Sequence, residues 1–168
     1  GTPYNIYKDG LKIYTTINST MQQYAEEAML KQLRTVIQPK MDAQYRSTKV
    51  LFQNTSAEER EKIVRQAMRY SDRYRALKEE GRSEAEIDRI FRTPCPTRVF
   101  TYRGERDTIL SPRDSILHHK RIMRAGFVAI EPQTGRVKAY VGGPNFRYFK
   151  YDMAKQGKRQ IGSTIKPF

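Results

Sequence analysis

The residues best placed for covalent chemistry are Ser163 and Lys166, in the run Ser163-Thr164-Ile165-Lys166. On one helical turn residues i and i+3 share a face, so the lysine amine can reach the serine hydroxyl. A serine is a poor nucleophile until a base takes its proton. Lysine is that base only where burial or a nearby positive charge lowers its pKa toward neutrality. Backbone N–H groups at a helix start would then lie near the developing oxyanion. In a chain with 32 Lys and Arg residues this spacing also arises by chance, and Ser163 taken alone reads as a helix cap.

Other reactive side chains are few. Cys95 is the one cysteine, which excludes a disulfide framework. His118 and His119 are adjacent and diverge on any regular element, so they make a poor zinc site. On an amphipathic helix such a pair reads as one packed and one solvated histidine. No cofactor and no metal is expected.

The elements that must position Ser163 come next. Residues 126–142 read as a β-hairpin: an apolar run Gly126–Ile130, a Pro132-Gln133-Thr134-Gly135 turn, and alternation of Val137, Ala139 and Val141 against Arg136, Lys138 and Tyr140. Gly142, Gly143 and Pro144 break it, and a loop rich in aromatics and bases leads to GKRQIGSTIKPF. Near the amino terminus, GLKIYTTIN (10–18) alternates as a half-buried strand. It is expected to pair with strand-like segments at 97–102 and 107–110, since each has one apolar face to cover. Asn18 or Ser19 caps a helix that includes Met21, Tyr24, Ala25, Ala28, Leu30, Leu33 and Ile37; Pro39 should end or kink it, with Gln38 disfavoured from helical geometry.

Ser56-Ala57-Glu58-Glu59 and Ser83-Glu84-Ala85-Glu86 open two further helices. The first carries Ile63, Ala67, Tyr70, Tyr74 and Leu77 as its apolar stripe and stops at Gly81; the second turns Ile87, Ile90 and Phe91 inward and closes at Pro94. They read as a structural hairpin with a charged exterior. Ser111-Pro112 caps a last helix running to about Arg124. The fold class is therefore α+β, helix-rich before residue 96 and strand-rich after it.

Apolar residues make up 38% and mean hydropathy is −0.79. No run approaches the roughly 18 apolar residues of a membrane span. The opening GTPYNIYKDG has neither an initiator Met nor the apolar core of a signal peptide, so the chain reads as cut from something longer. Net charge is +14, and residues 136–168 hold eight bases against one acid, or +7 of it. That excess suits an anionic partner.

GFVAIEPQTGRVKAYVGG, then DMAKQGKRQIGSTIKPF, closely resembles the start of the transpeptidase domain of class A penicillin-binding proteins. GLKIYTTINSTMQQYAEEAM resembles the strand and helix that precede that domain in the same family, and residues 97–125 look like the material between the two halves of these bifunctional enzymes. Residues 40–96 match no common pattern of the family and read as a helical insertion at 55–93. The resemblance implies an inter-domain linker region at 1–125 and a truncated transpeptidase beginning at 126–168, with its first β-hairpin and the start of the active-site helix.

It further implies that Ser163 is the acyl-forming nucleophile and Lys166 its general base. The reaction would be D,D-transpeptidation of peptidoglycan stem peptides, and β-lactams would acylate the same serine. Implied partners are stem peptides, β-lactams, and a glycosyltransferase domain and membrane anchor of the parent chain. The implied location is the periplasmic face of the bacterial inner membrane. The family's Ser-x-Asn and Lys-Thr-Gly motifs do not follow Ser163 within these 168 residues, so the chain itself is expected to be inactive.

Two other readings compete. A basic nucleic-acid-binding protein could use the Lys, Arg and aromatic residues of the last third, but this leaves the order of hairpin, double glycine and Ser-x-x-Lys unexplained. A stand-alone acyl-serine hydrolase of β-lactamase type fails on the length after Ser163. Nucleic acid is not the expected partner.

Overall fold

The structure is a computed structural model that describes residues 4, 5, 7–48, 50–52, 54–158, 160 and 162–166. It is α+β, with two two-stranded antiparallel sheets among the described residues. The chain divides into two compact units: Gly1–Met29 with Ala125–Phe168, and Leu30–Arg124.

Helix α1 (Ser19–Gln32) runs on through a π-helical turn, Leu33–Ile37, into α2 (Gln38–Thr48) of the Leu30–Arg124 unit. The helix therefore passes through Pro39 rather than ending there, and Gln38 is helical at φ −61°, ψ −43°. Two features reconcile this with proline chemistry. A proline ring presses on the carbonyl four residues back. The wider turn just before it, in which Gln38 N–H bonds Leu33 C=O, opens the backbone at that place. The buried Gln38 amide then fixes the continuation: its Nε2 donates to Asp42 Oδ1 (3.0 Å) and Arg121 C=O (3.2 Å), and its Oε1 accepts from Met123 N–H (2.9 Å).

Helix α3 (Ala57–Arg69) opens with the expected capping box, Ser56 and Glu59 each satisfying the other's backbone N–H. Its buried face is Val64 and Met68, beside the expected stripe rather than on it. Tyr70 is 74% exposed, because the helix ends at Arg69 and Ser71 caps a new helix, α4 (Asp72–Glu79). Helix α5 (Glu84–Arg92) has its capping box at Ser83 and Glu86 and buries Ile87 and Phe91. These two join Val64 and Met68 in one core, flanked by Ile116 and Leu117 of α6 (Pro112–Arg121). Arg113 of α6 grips Glu61 of α3 with both Nη atoms, at 3.1 and 2.8 Å, which holds the Glu61 carboxyl below its ordinary pKa.

Strands β1 (Cys95–Thr101) and β2 (Gly104–Leu110) form the first sheet, with Val99 fully buried. Helix α6 clamps β1 through both histidines. His118 Nε2 meets Phe100 C=O at 2.8 Å, and Phe100 N–H donates to His119 Nε2 at 3.3 Å. His119 Nδ1 meets Ser115 C=O at 2.9 Å, so the neutral tautomer carries its proton on Nδ1. Neither ring is simply solvated: both are half-buried and structural.

Burial lowers the His119 pKa, with the neighbouring His118 adding to it and the Ser115 bond opposing. A histidine whose folded pKa lies below its unfolded value, near 6.5, binds protons more readily when unfolded. Its contribution to stability is present above about pH 6.5 and is lost as pH falls through the folded pKa. The urea midpoint of the chain should thus decline between pH 7.5 and 5, and His119→Gln should flatten that decline. An unchanged pH profile in the variant would show that His119 does not cause it.

Candidate functional site

The second unit is built on β3 (Phe127–Ile130) and β4 (Val137–Val141), paired antiparallel with an irregularity between Ala129 and Ile130. The intervening turn closes by Glu131 N–H to Arg136 C=O (2.9 Å) and Gly135 N–H to Glu131 C=O (2.8 Å), with Gly135 at φ +69°. The expected hairpin is present. Ala139, Val141 and Phe149 are buried, as are Ala25 and Met29 of α1.

Residues 10–18 do not form the expected strand and do not pair with β1 or β2. They join no sheet, and Leu11, Ile13 and Ile17 are exposed. Their end lies instead along the outer edge of β4. Thr16 Oγ1 donates to Val137 C=O (2.7 Å), and Asn18 N–H donates to Lys138 C=O (2.9 Å). The chain then turns into α1, capped by Asn18 Oδ1 on Met21 N–H (3.0 Å). One turn on, the Gln22 amide completes the edge: Tyr140 N–H donates to Oε1 (2.7 Å) and Nε2 donates to Tyr140 C=O (2.9 Å). Four hydrogen bonds, linking Thr16, Asn18 and Gln22 to Val137, Lys138 and Tyr140, thus cover a sheet edge without a strand.

Beyond β4 the route to Ser163 is organised by Asp152. Its Oδ2 accepts from Tyr140 Oη (2.6 Å), and its Oδ1 accepts from the N–H groups of Ala154 and Lys155, each at 2.9 Å. The Tyr140 bond, then these backbone donors, hold the Asp152 carboxyl below its ordinary pKa, and Asp152 raises that of Tyr140. Met153 N–H closes the loop onto Gly142 C=O at 2.7 Å. A side chain at Gly126 would strike Ala154 backbone at 2.6 Å, and one at Gly157 would strike Met153 C=O, so both approaches need glycine.

Gly162, at φ +55°, starts a 3₁₀ turn, Gly162–Ile165. Three residues per turn set Ser163 and Lys166 over one another, and Lys166 N–H reaches Ser163 C=O at 3.3 Å. Both residues are exposed. Arg159, Ile161, Pro167 and Phe168 of the terminal block lie outside the described residues. Sequence reasoning missed Gln22, Tyr140 and Asp152. Asp152 had a local signal, a carboxylate two and three residues ahead of free N–H groups; Gln22 had none.

Residues 47–123 match the family model described as penicillin-binding protein middle domain. That stretch includes the helices at 55–93. The chain is 27% identical over 189 aligned positions, 96% of its length, to penicillin-binding protein 1A of Neisseria cinerea, of which it spans 23%. It is 25% identical over 170 positions, again 96% of its length, to penicillin-binding protein 1A of Aquifex aeolicus, of which it spans 22%. Over 42 residues, 25% of the chain, it is 55% identical to 5% of penicillin-binding protein 1A of Vibrio cholerae. The chain therefore spans less than a quarter of the length of these relatives. No solved structure matches it.

The Gln22 clamp is open to test. Gln22→Ala removes both bonds to Tyr140 and leaves a strand edge bare, a loss of about 1–3 kcal/mol. Amide exchange at Tyr140 should accelerate, while Val99 in the other unit keeps its protection. Unchanged exchange at Tyr140 would refute the clamp.

Proposed function

We propose that the chain is a piece of a class A penicillin-binding protein, in which residues 126–168 open a D,D-transpeptidase domain and residues 1–125 are the inter-domain linker of a cell-wall synthase. In this reading Ser163 is the nucleophile and Lys166 the general base. Lys166 Nζ takes the hydroxyl proton as Ser163 Oγ bonds the carbonyl carbon of the penultimate D-alanine. The terminal D-alanine leaves with a proton on its amine. An amine of a second stem peptide then attacks the acyl-serine, and the hydroxyl is restored. A β-lactam acylates the same oxygen by opening its own ring. The parent protein would carry a glycosyltransferase domain and a membrane anchor and act at the periplasmic face of the inner membrane.

One observation carries the reading: the Ser163–Lys166 turn stands at the end of a β-hairpin and Gly-Gly loop in the order the family resemblance requires. The same turn speaks against activity in these 168 residues. Both residues are exposed, whereas a lysine base needs burial or a nearby positive charge to lower its pKa. The exposed Phe127, Val128 and Ile130 of β3 support a sheet that further strands complete.

A fluorescent penicillin should not label the 168-residue chain. A protein extended through the rest of the transpeptidase sequence should be labelled, and Ser163→Ala in that longer protein should abolish labelling. Labelling of the 168-residue chain would refute its proposed inactivity, and labelling of the longer variant would refute Ser163 as nucleophile.

A further inference from the structure

In the Leu30–Arg124 unit, away from Ser163 in the sequence and independent of its reading, α2, the β1–β2 turn and the end of α6 enclose a cavity of about 750 Å³. Five guanidiniums line it: Arg34, Arg46, Arg103, Arg106 and Arg121. Two carboxylates oppose them, Asp42 and Glu105, so the arginines and carboxylates together carry an excess of three positive charges.

Elsewhere in the unit Arg75 is neutralised by Asp72 (2.6 Å), Arg92 by Asp88 (2.7 Å), Arg98 by Asp107 (2.7 Å) and Arg113 by Glu61 (2.8 Å), whereas Arg60, Arg69, Arg73 and Arg89 form no ion pair with a described residue; what marks the cavity is that its unpaired arginines share one space. Around the cavity, Arg34, Arg46, Arg103 and Arg106 form no ion pair with any described residue. Glu105 is already shared with Arg98 at 3.8 Å. Arg121 meets Asp42 only at 3.5 Å, its guanidinium lies over the Tyr45 ring at 3.9 Å, and its buried Nε has no hydrogen-bond partner among the described residues. A buried donor left unsatisfied costs free energy, and so do like charges gathered without counter-ions.

We propose that this cavity is a binding site for a phosphate group, taken as a phosphomonoester or diphosphate. The guanidinium fork matches two oxygens of a phosphate at once, which lysine does not. A diphosphate places about three negative charges in a small volume and so balances the excess; a single carboxylate offers one. The Gln38 amide on the cavity lining fixes both Asp42 and the Arg121 backbone, so the site is held before a ligand arrives.

Phosphate can arrive free in solution or on a lipid surface, and two probes separate these sources. The first is titration of the 168-residue chain with inorganic pyrophosphate at fixed ionic strength. The second is co-sedimentation with phosphatidylcholine vesicles with and without phosphatidic acid. Binding should be saturable in at least one arm. The exposed pair Arg103→Gln/Arg106→Gln should weaken it at least tenfold, while Arg75→Gln/Arg92→Gln, which removes equal charge from the paired face, should change it by less than twofold. Pyrophosphate binding alone assigns a soluble source, and vesicle binding alone a membrane one. Equal losses in the two double variants, citrate bound as tightly as pyrophosphate, or no saturable binding in either arm would overturn the site.

Discussion

A two-stranded hairpin does not hold its own shape in water, so every residue that leads to Ser163 depends on how the free edge of β4 is covered. Here the cover is polar and piecemeal. Thr16, Asn18 and Gln22 supply hydrogen bonds to Val137, Lys138 and Tyr140 as the chain passes from an extended segment into a helix. The same strand presents the Tyr140 hydroxyl to Asp152. The edge and the loop beyond it are thus tied at one residue, Tyr140: its backbone by Gln22, its side chain by the carboxylate that sets the following turn.

The Leu30–Arg124 unit solves a different problem. Its main apolar cluster is Val64, Met68, Ile87 and Phe91, with Leu33, Val99, Phe100 and Ile122 also buried, and its density of charge is high. Packing is therefore supplemented by polar clamps that each join two elements. Gln38 ties α2 to the end of α6, Arg113 ties α6 to α3, and the two histidines tie α6 to β1. Helix α6 takes part in all three, which explains why its sequence is so rich in side chains that both pack and donate.

What was legible in the sequence was local. Capping boxes at Ser56 and Ser83, the Ser111-Pro112 start of α6 and the 127–141 hairpin each depend on residues a few positions apart, and each formed as expected. What was not legible depends on distant partners. The alternation in 10–18 is real, but the edge it meets accepts bonds only from Thr16 and Asn18 before the helix begins, so no ladder forms. Proline at 39 stops a helix unless the preceding turn widens and a buried amide holds the next one, and the amide's partners, Arg121 and Met123, lie over eighty residues away. Tyr70 fitted the helical period, but Ser71 competed for the backbone and ended the helix first.

The Ser163–Lys166 pair shows where local reading stops short of chemistry. A 3₁₀ turn brings the two residues onto one face, which is all that spacing can do. Proton transfer from a serine at neutral pH needs a lysine that is largely uncharged, and here Ser163 and Lys166 are both exposed. Lowering its pKa takes desolvation by surrounding structure, and orienting a carbonyl against Ser163 takes oxyanion donors on a fixed scaffold. The hairpin, the Asp152 turn and the glycines at 126 and 157 supply the route and the rigidity that lead to the turn. They do not supply its walls. In the proposed reading these local elements set the position of Ser163, and its reactivity would be a property of the structure that surrounds it.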